Sequence, residues 1–496
     1  MVALIILFVL PLFFLFLLQK LRLNKNISHQ PGPRGLPLIG NLLQLGNSTS
    51  LHRCLWQLSQ KYGPLMSLQL GFRPTLVVSS AKMAKEVMKT QDLVFSGRPP
   101  LVGPKKLSYD SLGLAFTAAN DSWREMRRIS AIHLFNSSRV QQFRRIREEE
   151  VSRMVENISK SSVASKPINL SLLMMTLTTT LICRVAFGKR FDEAIVINRL
   201  GRLLDETEAM IVGFFWSYYF PFMGWVDRLT GMHARLEKIF KEMDENYQEI
   251  IDDHLDPKRP RSEREDILDF FLQNLRNNEL NVELSLNQIK AMLMNIFVGG
   301  ANSSATTVVW VMTFLMKNPI AMKKAQEEVR NLIGTKGFVN EDDIQSLHYL
   351  KACVKETMRL QPPGPLLIPR ETTQKCNIGG YEIPAKTLVY VNAWAIGRDP
   401  EAWDNTEEFN PDRFIGNSID LKGNDFELIP FGAGRRICPA LPMGILNVEL
   451  ALANLLYKFD WKMPAGMKKE DLDFDEIPGG TVRKKNALCL VCENYM

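Results

Sequence analysis

Cys438 stands in the loop Phe431-Gly432-Ala433-Gly434-Arg435-Arg436-Ile437-Cys438-Pro439-Ala440, where small residues present one thiol just ahead of an apolar stretch of helical period, Leu441 to Tyr457. Pro439 and Pro442 suit the first turn of that helix, whose backbone N–H groups lack intrahelical partners. A thiol in this position is a candidate metal ligand. The helix dipole, the free amides and the guanidinium groups of Arg435 and Arg436 favour its thiolate and set its basicity. Gly432 and Gly434 let the backbone turn tightly and lie close to something flat. On the residues alone, a Gly-rich turn around a buried structural cysteine has the same composition.

Three further groupings have chemistry-bearing spacing. Trp123 and Arg127 are four apart, on one helical face, able to reach a common anion, although an ordinary amphipathic helix looks the same. Ile289 to Lys317 is a long apolar helix interrupted by Gly299-Gly300-Ala301-Asn302-Ser303-Ser304. Adjacent glycines and back-bonding hydroxyls predict a kink or a widened turn there; a close helix crossing is the other reading. Glu356 and Arg359 are three apart, the spacing of a helical ion pair.

The order Phe431, Gly434, Arg436, Cys438 resembles the Phe-x-x-Gly-x-Arg-x-Cys-x-Gly signature of the cytochrome P-450 superfamily, with Ala440 in place of the last glycine. The resemblance runs on through Trp123-x-x-x-Arg127, Glu356-x-x-Arg359, Trp394 to Pro400 and Pro411-Asp412-Arg413-Phe414. It is nearest to plant microsomal A-type members acting on specialised metabolites. The resemblance implies a haem-thiolate monooxygenase with Cys438 as the proximal ligand of haem b iron and Phe431 and Arg436 in the ligand loop. Trp123 and Arg127 then hold a haem propionate, and Arg370 reaches one. Gly300, Asn302 and Ser303 lie over the distal haem face, Arg413 joins Glu356 and Arg359 in a buried network, O2 is the cosubstrate, and electrons come from NADPH through an NADPH-cytochrome reductase.

The helix over the distal face departs from the family pattern Ala/Gly-Gly-x-Asp/Glu-Thr-Thr/Ser at two positions, Asn302 for the acid and Ser303 for threonine. An amide cannot relay protons by titrating, whereas serine keeps the hydroxyl. The expectation is a working but leaky oxygenase. The alternative is a haem-thiolate isomerase or dehydratase that uses neither O2 nor a reductase.

The elements that must position these groups belong to a chain of 496 residues with 46% apolar content, enough for a large core with no internal boundary. The expected fold is mainly α with a smaller β-rich portion, the cytochrome P-450 fold. Alternation marks strands at 65–79, 381–384 and 387–392, and a half-buried strand rather than a zinc site at Cys489-x-x-Cys492. Seven scattered cysteines read as reduced thiols facing the cytosol. The net charge of +7 suits an acidic partner or an anionic membrane rather than nucleic acid. Val2 to Leu18 is apolar throughout and at about 1.5 Å per residue spans about 25 Å, while Lys20, Arg22 and Lys25 after it stay cytosolic.

The organisation expected is therefore a membrane anchor at 2–19, a basic, Pro-rich hinge at 20–37 and a haem-binding catalytic domain at 38–496, on the cytosolic face of the endoplasmic reticulum. From Arg124 to Arg147 seven arginines accompany one acid, Glu125, a basic surface suited to an acidic redox partner. The aromatic run Phe214 to Phe222 packs in the core or lines the access of a small lipophilic substrate.

Overall fold

The computed structural model describes residues 31–46, 50–162, 166–259, 265–277 and 284–495. The expected anchor at 2–19 and the hinge up to residue 30 lie outside them. The remainder of the hinge is tied to the sheet, since Pro31 O accepts from the Ser67 N–H (2.9 Å).

Four strands, β1 (Leu65–Leu70), β2 (Arg73–Val78), β3 (Arg370–Glu371) and β4 (Leu388–Val391), form one sheet in the order β1-β2-β4-β3. β1 and β2 pair antiparallel with Leu70 opposite Arg73, so the expected strand pair turns at Gly71 and Phe72. Gly71 takes φ +57°, and a side chain there would meet the Tyr219 carbonyl. Cys489–Asn494 pairs with Phe459–Lys462 and Cys492 is buried, as alternation predicts.

The helices that frame the site are α1 (Asp121–Ile129), α2 (Arg144–Ser162), α3 (Leu170–Phe187), α4 (Arg202–Ile211), α5 (Leu286–Lys317), α6 (His348–Leu360) and α7 (Leu441–Lys458). α5 starts at a capping box in which Ser285 and Gln288 satisfy each other's backbone N–H. It is apolar nearly all round and buried nearly all round, which makes it the central axis of the molecule. Its first half, to Ala301, packs into one core cluster and its second half, from Ala305, into another.

No widened turn interrupts α5 at 299–304, contrary to the sequence expectation. The Ser303 hydroxyl donates to Gly299 O (2.7 Å) without displacing the backbone ladder. Gly300, unlike Gly299, serves a close crossing instead. A Cβ on Gly300 would lie 2.5 Å from Ile182 Cδ1 of α3, and Thr178 Oγ1 of α3 donates to Ala301 O (2.7 Å). α3 is the one described helix long and apolar enough to cross a membrane, yet 67% of it is buried in this core.

Glu356 of α6 is fully buried and fully paired. Arg359 donates to both of its oxygens (2.7 and 2.8 Å), and Arg413 Nε adds a third bond (3.0 Å). Arg359 also donates to the carbonyls of Gly397, Thr406 and Glu408, so no charge in the network is left alone.

The arginine run does not form the open basic surface that its sequence suggests. Arg139 and Arg147 are buried, paired with Glu265 (3.0 Å) and Glu341 (2.5 Å). Arg144 pairs with Glu148 and Asp342, Arg145 with Glu149, Arg128 with Glu125 and Arg124 with Asp121. Of these acids only Glu125 lies inside the run; Asp121, Glu148 and Glu149 flank it on the same helices, and Glu265, Glu341 and Asp342 come from other parts of the chain. The aromatic run splits between its two readings: Phe215, Tyr218 and Phe220 are buried, whereas Phe214 and Phe222 are exposed.

Candidate active site

α7 begins at Leu441 with Ala440 as N-cap, placing Cys438 at the helix entrance as its prolines predict. The loop closes through the Cys438 N–H on Phe431 O (3.0 Å). Gly434 takes φ +67°, and a side chain on it would collide with the Met88 carbonyl. Ala440 takes φ −92°, an ordinary conformation for alanine, so the departure from the glycine signature strains nothing.

The cations expected to favour the thiolate point elsewhere. Arg435 pairs with Asp92 (2.7 Å), and Arg436 donates to the carbonyls of Ser96 and Thr117 (both 2.8 Å). Burial pushes the Cys438 thiol up, opposed by the Ala440 N–H and the charge of Arg127. A thiol so placed ionises when a metal ion binds it, because the ion's own charge dominates the site.

Above Cys438 lies a cavity of about 640 Å³, walled on its far side by Gly299, Gly300, Ser303, Ser304 and Thr307 of α5. Arg98, Arg127, Arg370 and Arg436 all line it, and among the described residues none of them forms an ion pair. Burial pushes Arg370 down to about 10 and, reinforced by the charges of Arg370, Arg127 and Arg435, pushes Arg436 down to about 9. Arg98 is held well below its ordinary value by burial and by Arg436 and Arg370. Among the described residues, Arg98, Arg370 and Arg436 donate to protein carbonyls: Arg98 Nη1 to Ile368 O and Pro369 O (2.6 and 2.8 Å), Arg370 to Phe95 O and Ala433 O, and Arg436 to Ser96 O and Thr117 O. Arg436 Nη1 is buried with no partner at all. Cations gathered around one cavity without counter-ions call for an anion with more than one carboxylate. The two propionates of haem b answer that need while Cys438 faces the iron, so the residues present fit the group.

Trp123 enters the site differently from its sequence reading. Its indole N–H is donated to Leu114 O (3.1 Å), and its ring supports Arg436, whose guanidinium lies 3.9 Å from the ring centroid. Arg127, Arg370, Phe431, Arg436, Gly300 and Ser303 all line the cavity. Asn302 does not. It is fully buried, facing the Glu208 carboxyl of α4, beside Gly479 and Thr481 of the cavity wall, without closing a hydrogen bond, and both its amide atoms lack partners. Arg98 went unrecognised in the sequence, where its only signal is a position ahead of Pro99 and Pro100.

Fold and site together define a haem-thiolate protein. A family model for cytochrome P-450 matches residues 30–490. A 5-OH-xanthotoxin synthase of Pastinaca sativa is 53% identical over 479 residues, covering 95% of this chain and 94% of the relative. A 6,7,8-trihydroxycoumarin synthase of the same plant is 50% identical with the same coverage. A solved zebra fish cytochrome P-450 with progesterone superposes with a TM-score of 0.74 at 26% identity, covering 89% of this chain and 99% of that one. The chain belongs to the cytochrome P-450 family, is similar to its plant A-type members, and is an oxidoreductase of the monooxygenase class.

Proposed function

We propose that this chain hydroxylates a planar, lipophilic aromatic of the coumarin class, taking one oxygen atom from O2 and its electrons from NADPH through a cytochrome reductase. Residues 2–19 anchor it on the cytosolic face of the endoplasmic reticulum. The observation that carries the substrate reading is the chemistry of the cavity wall. Asn295 Oδ1 accepts from the Leu114 and Ala115 N–H groups (2.7 and 2.8 Å), and Thr307 Oγ1 donates to Ser303 O (2.9 Å). Glu476 is taken by Arg53 (2.7 Å), His52 (3.3 Å) and Gln361 (2.8 Å). With these three polar side chains engaged, the wall away from the arginines offers a ligand mainly apolar contact, from Phe116, Phe215, Ile296 and Leu366. The names of the two Pastinaca sativa relatives describe hydroxylated products of coumarin type, which supports the same class here.

When bound, haem would supply the activation of O2, with the Cys438 thiolate as its electron-donating ligand. Arg98, Arg127, Arg370 and Arg436 would hold its propionates. The apolar wall orients the substrate and keeps water out, and the Ser303 hydroxyl, whose proton is donated to Gly299 O, offers the cavity an acceptor oxygen. The test is turnover of xanthotoxin and simple coumarins by the full chain with a plant reductase under 18O2. One labelled oxygen per product, dependent on NADPH, is expected. An unlabelled isomer formed without NADPH would replace this reading by the isomerase one.

A further inference from the structure

Glu208 on α4 is 5% exposed and has no part in the mechanism above. Its carboxyl is nevertheless set against the point where α5 lacks one. Its carboxyl faces Asn302 of α5 and Thr481 of the C-terminal loop, with Gly479 passing close by. Arg483, among the described residues the one cation whose charge acts on it, is engaged by Asp205 (2.6 Å). Asp205 lies one turn earlier on α4 with its side chain 51% exposed, so the helix leads from Glu208 to solvent. Opposite Glu208, both amide atoms of Asn302 are buried without partners. An unpartnered buried amide is rare and costly, and a water shared with Glu208 would satisfy it.

We propose that Glu208 is the proton-supplying acid of the distal face, acting where position 302 has no carboxyl: its proton passes through a water held on the Asn302 amide to the Ser303 side of the cavity. The proposal rests on the monooxygenase reading. For each product, a substrate C–H, one O2, two electrons from NADPH and two protons give C–OH and one water. Each proton leaves a carboxyl oxygen of Glu208, which solvent refills past Asp205. Burial raises the Glu208 carboxyl, keeping its proton available nearer to neutral pH. The amide at 302 is part of the arrangement, since an aspartate there would set two carboxyls side by side and make them compete for one proton.

The test uses the haem-loaded full chain with reductase and xanthotoxin. Glu208→Gln should slow product formation by about 10²-fold, the lower end of what a positioned general acid contributes, while NADPH oxidation continues to hydrogen peroxide. Asn302→Asp added to Glu208→Gln should recover about tenfold of that, on the same scale for a restored acid, whereas a merely structural loss at 208 would not be rescued. An infrared carboxyl band should titrate above 4.5 in wild type without any substrate and vanish in Glu208→Gln. Unchanged coupling in Glu208→Gln, absence of rescue, or a band titrating at or below that value overturns the proposal. If wild type forms no product from NADPH and O2, the functional reading fails instead, and the infrared titration still decides whether Glu208 holds its proton.

Discussion

Replacing Glu449 with glutamine should stabilise the protein, and the gain should grow with pH. Glu449 lies on the buried side of α7, and burial pushes its carboxyl up to about 7 from 4.5. Lys351 and Lys355 of α6 pull in the opposite direction but do not prevail; Lys355 donates to Ile419 O (2.7 Å). Because the native state holds this proton more tightly than the unfolded chain, the stability Glu449 contributes is whole below 4.5 and is lost as pH climbs to about 7. At about 1.4 kcal/mol per pH unit the loss totals about 3 kcal/mol. Glu449→Gln carries no titrating group, so its advantage should rise from about 1 kcal/mol at pH 5 to about 3 kcal/mol at pH 8. Denaturant unfolding of both proteins at four pH values, at equal m-value, measures it. An advantage that is the same at every pH refutes the reasoning, because it would come from packing and not from ionisation.

Three more perturbations have defined outcomes. Glu356→Ala leaves Arg359 and Arg413 facing an uncompensated hole, and denaturant unfolding should show a loss of about 3–5 kcal/mol; a loss below about 1 kcal/mol, the scale of an exposed pair, would mean that the network is wet. Gly300→Ala drives a methyl into Ile182 at the α3–α5 crossing, costing about 1–3 kcal/mol, and Ile182→Val in the same chain should recover most of it; strict additivity of the two changes would place the strain elsewhere. Arg98→Gln removes a charge-assisted partner of the carboxylates, worth about 1.5–3 kcal/mol, so haem transfer to apomyoglobin should speed up about tenfold or more; an unchanged rate removes Arg98 from the site.

What could be read from the sequence was whatever a short stretch decides by itself. The Cys438 loop, the start of α7 and the β1–β2 hairpin depend on glycine, proline and alternation within a dozen residues, and all three stand where those signals put them. The cation cluster could not be read in the same way, because Arg98, Arg127, Arg370 and Arg436 come from four separate segments and only Arg98 is unmarked by its neighbours. Counting charge along the chain misled for Arg139 and Arg147, whose partners Glu265 and Glu341 lie far away in sequence. The predicted loosening of α5 failed for a related reason. Gly300 looks like a flaw until α3 arrives to fill the space its missing side chain leaves. The direction of the Cys438 shift was likewise set by burial, a tertiary property that a nearby arginine in the sequence does not reveal.

The central claim is that Cys438 ligates haem iron as a thiolate, and the spectrum of the reduced protein under carbon monoxide tests it most directly. Wild type should show the far-red-shifted Soret band peculiar to thiolate-bound haem, and Cys438→Ala should lose it. A band that survives in Cys438→Ala would contradict the account, since no other described cysteine lines the cavity.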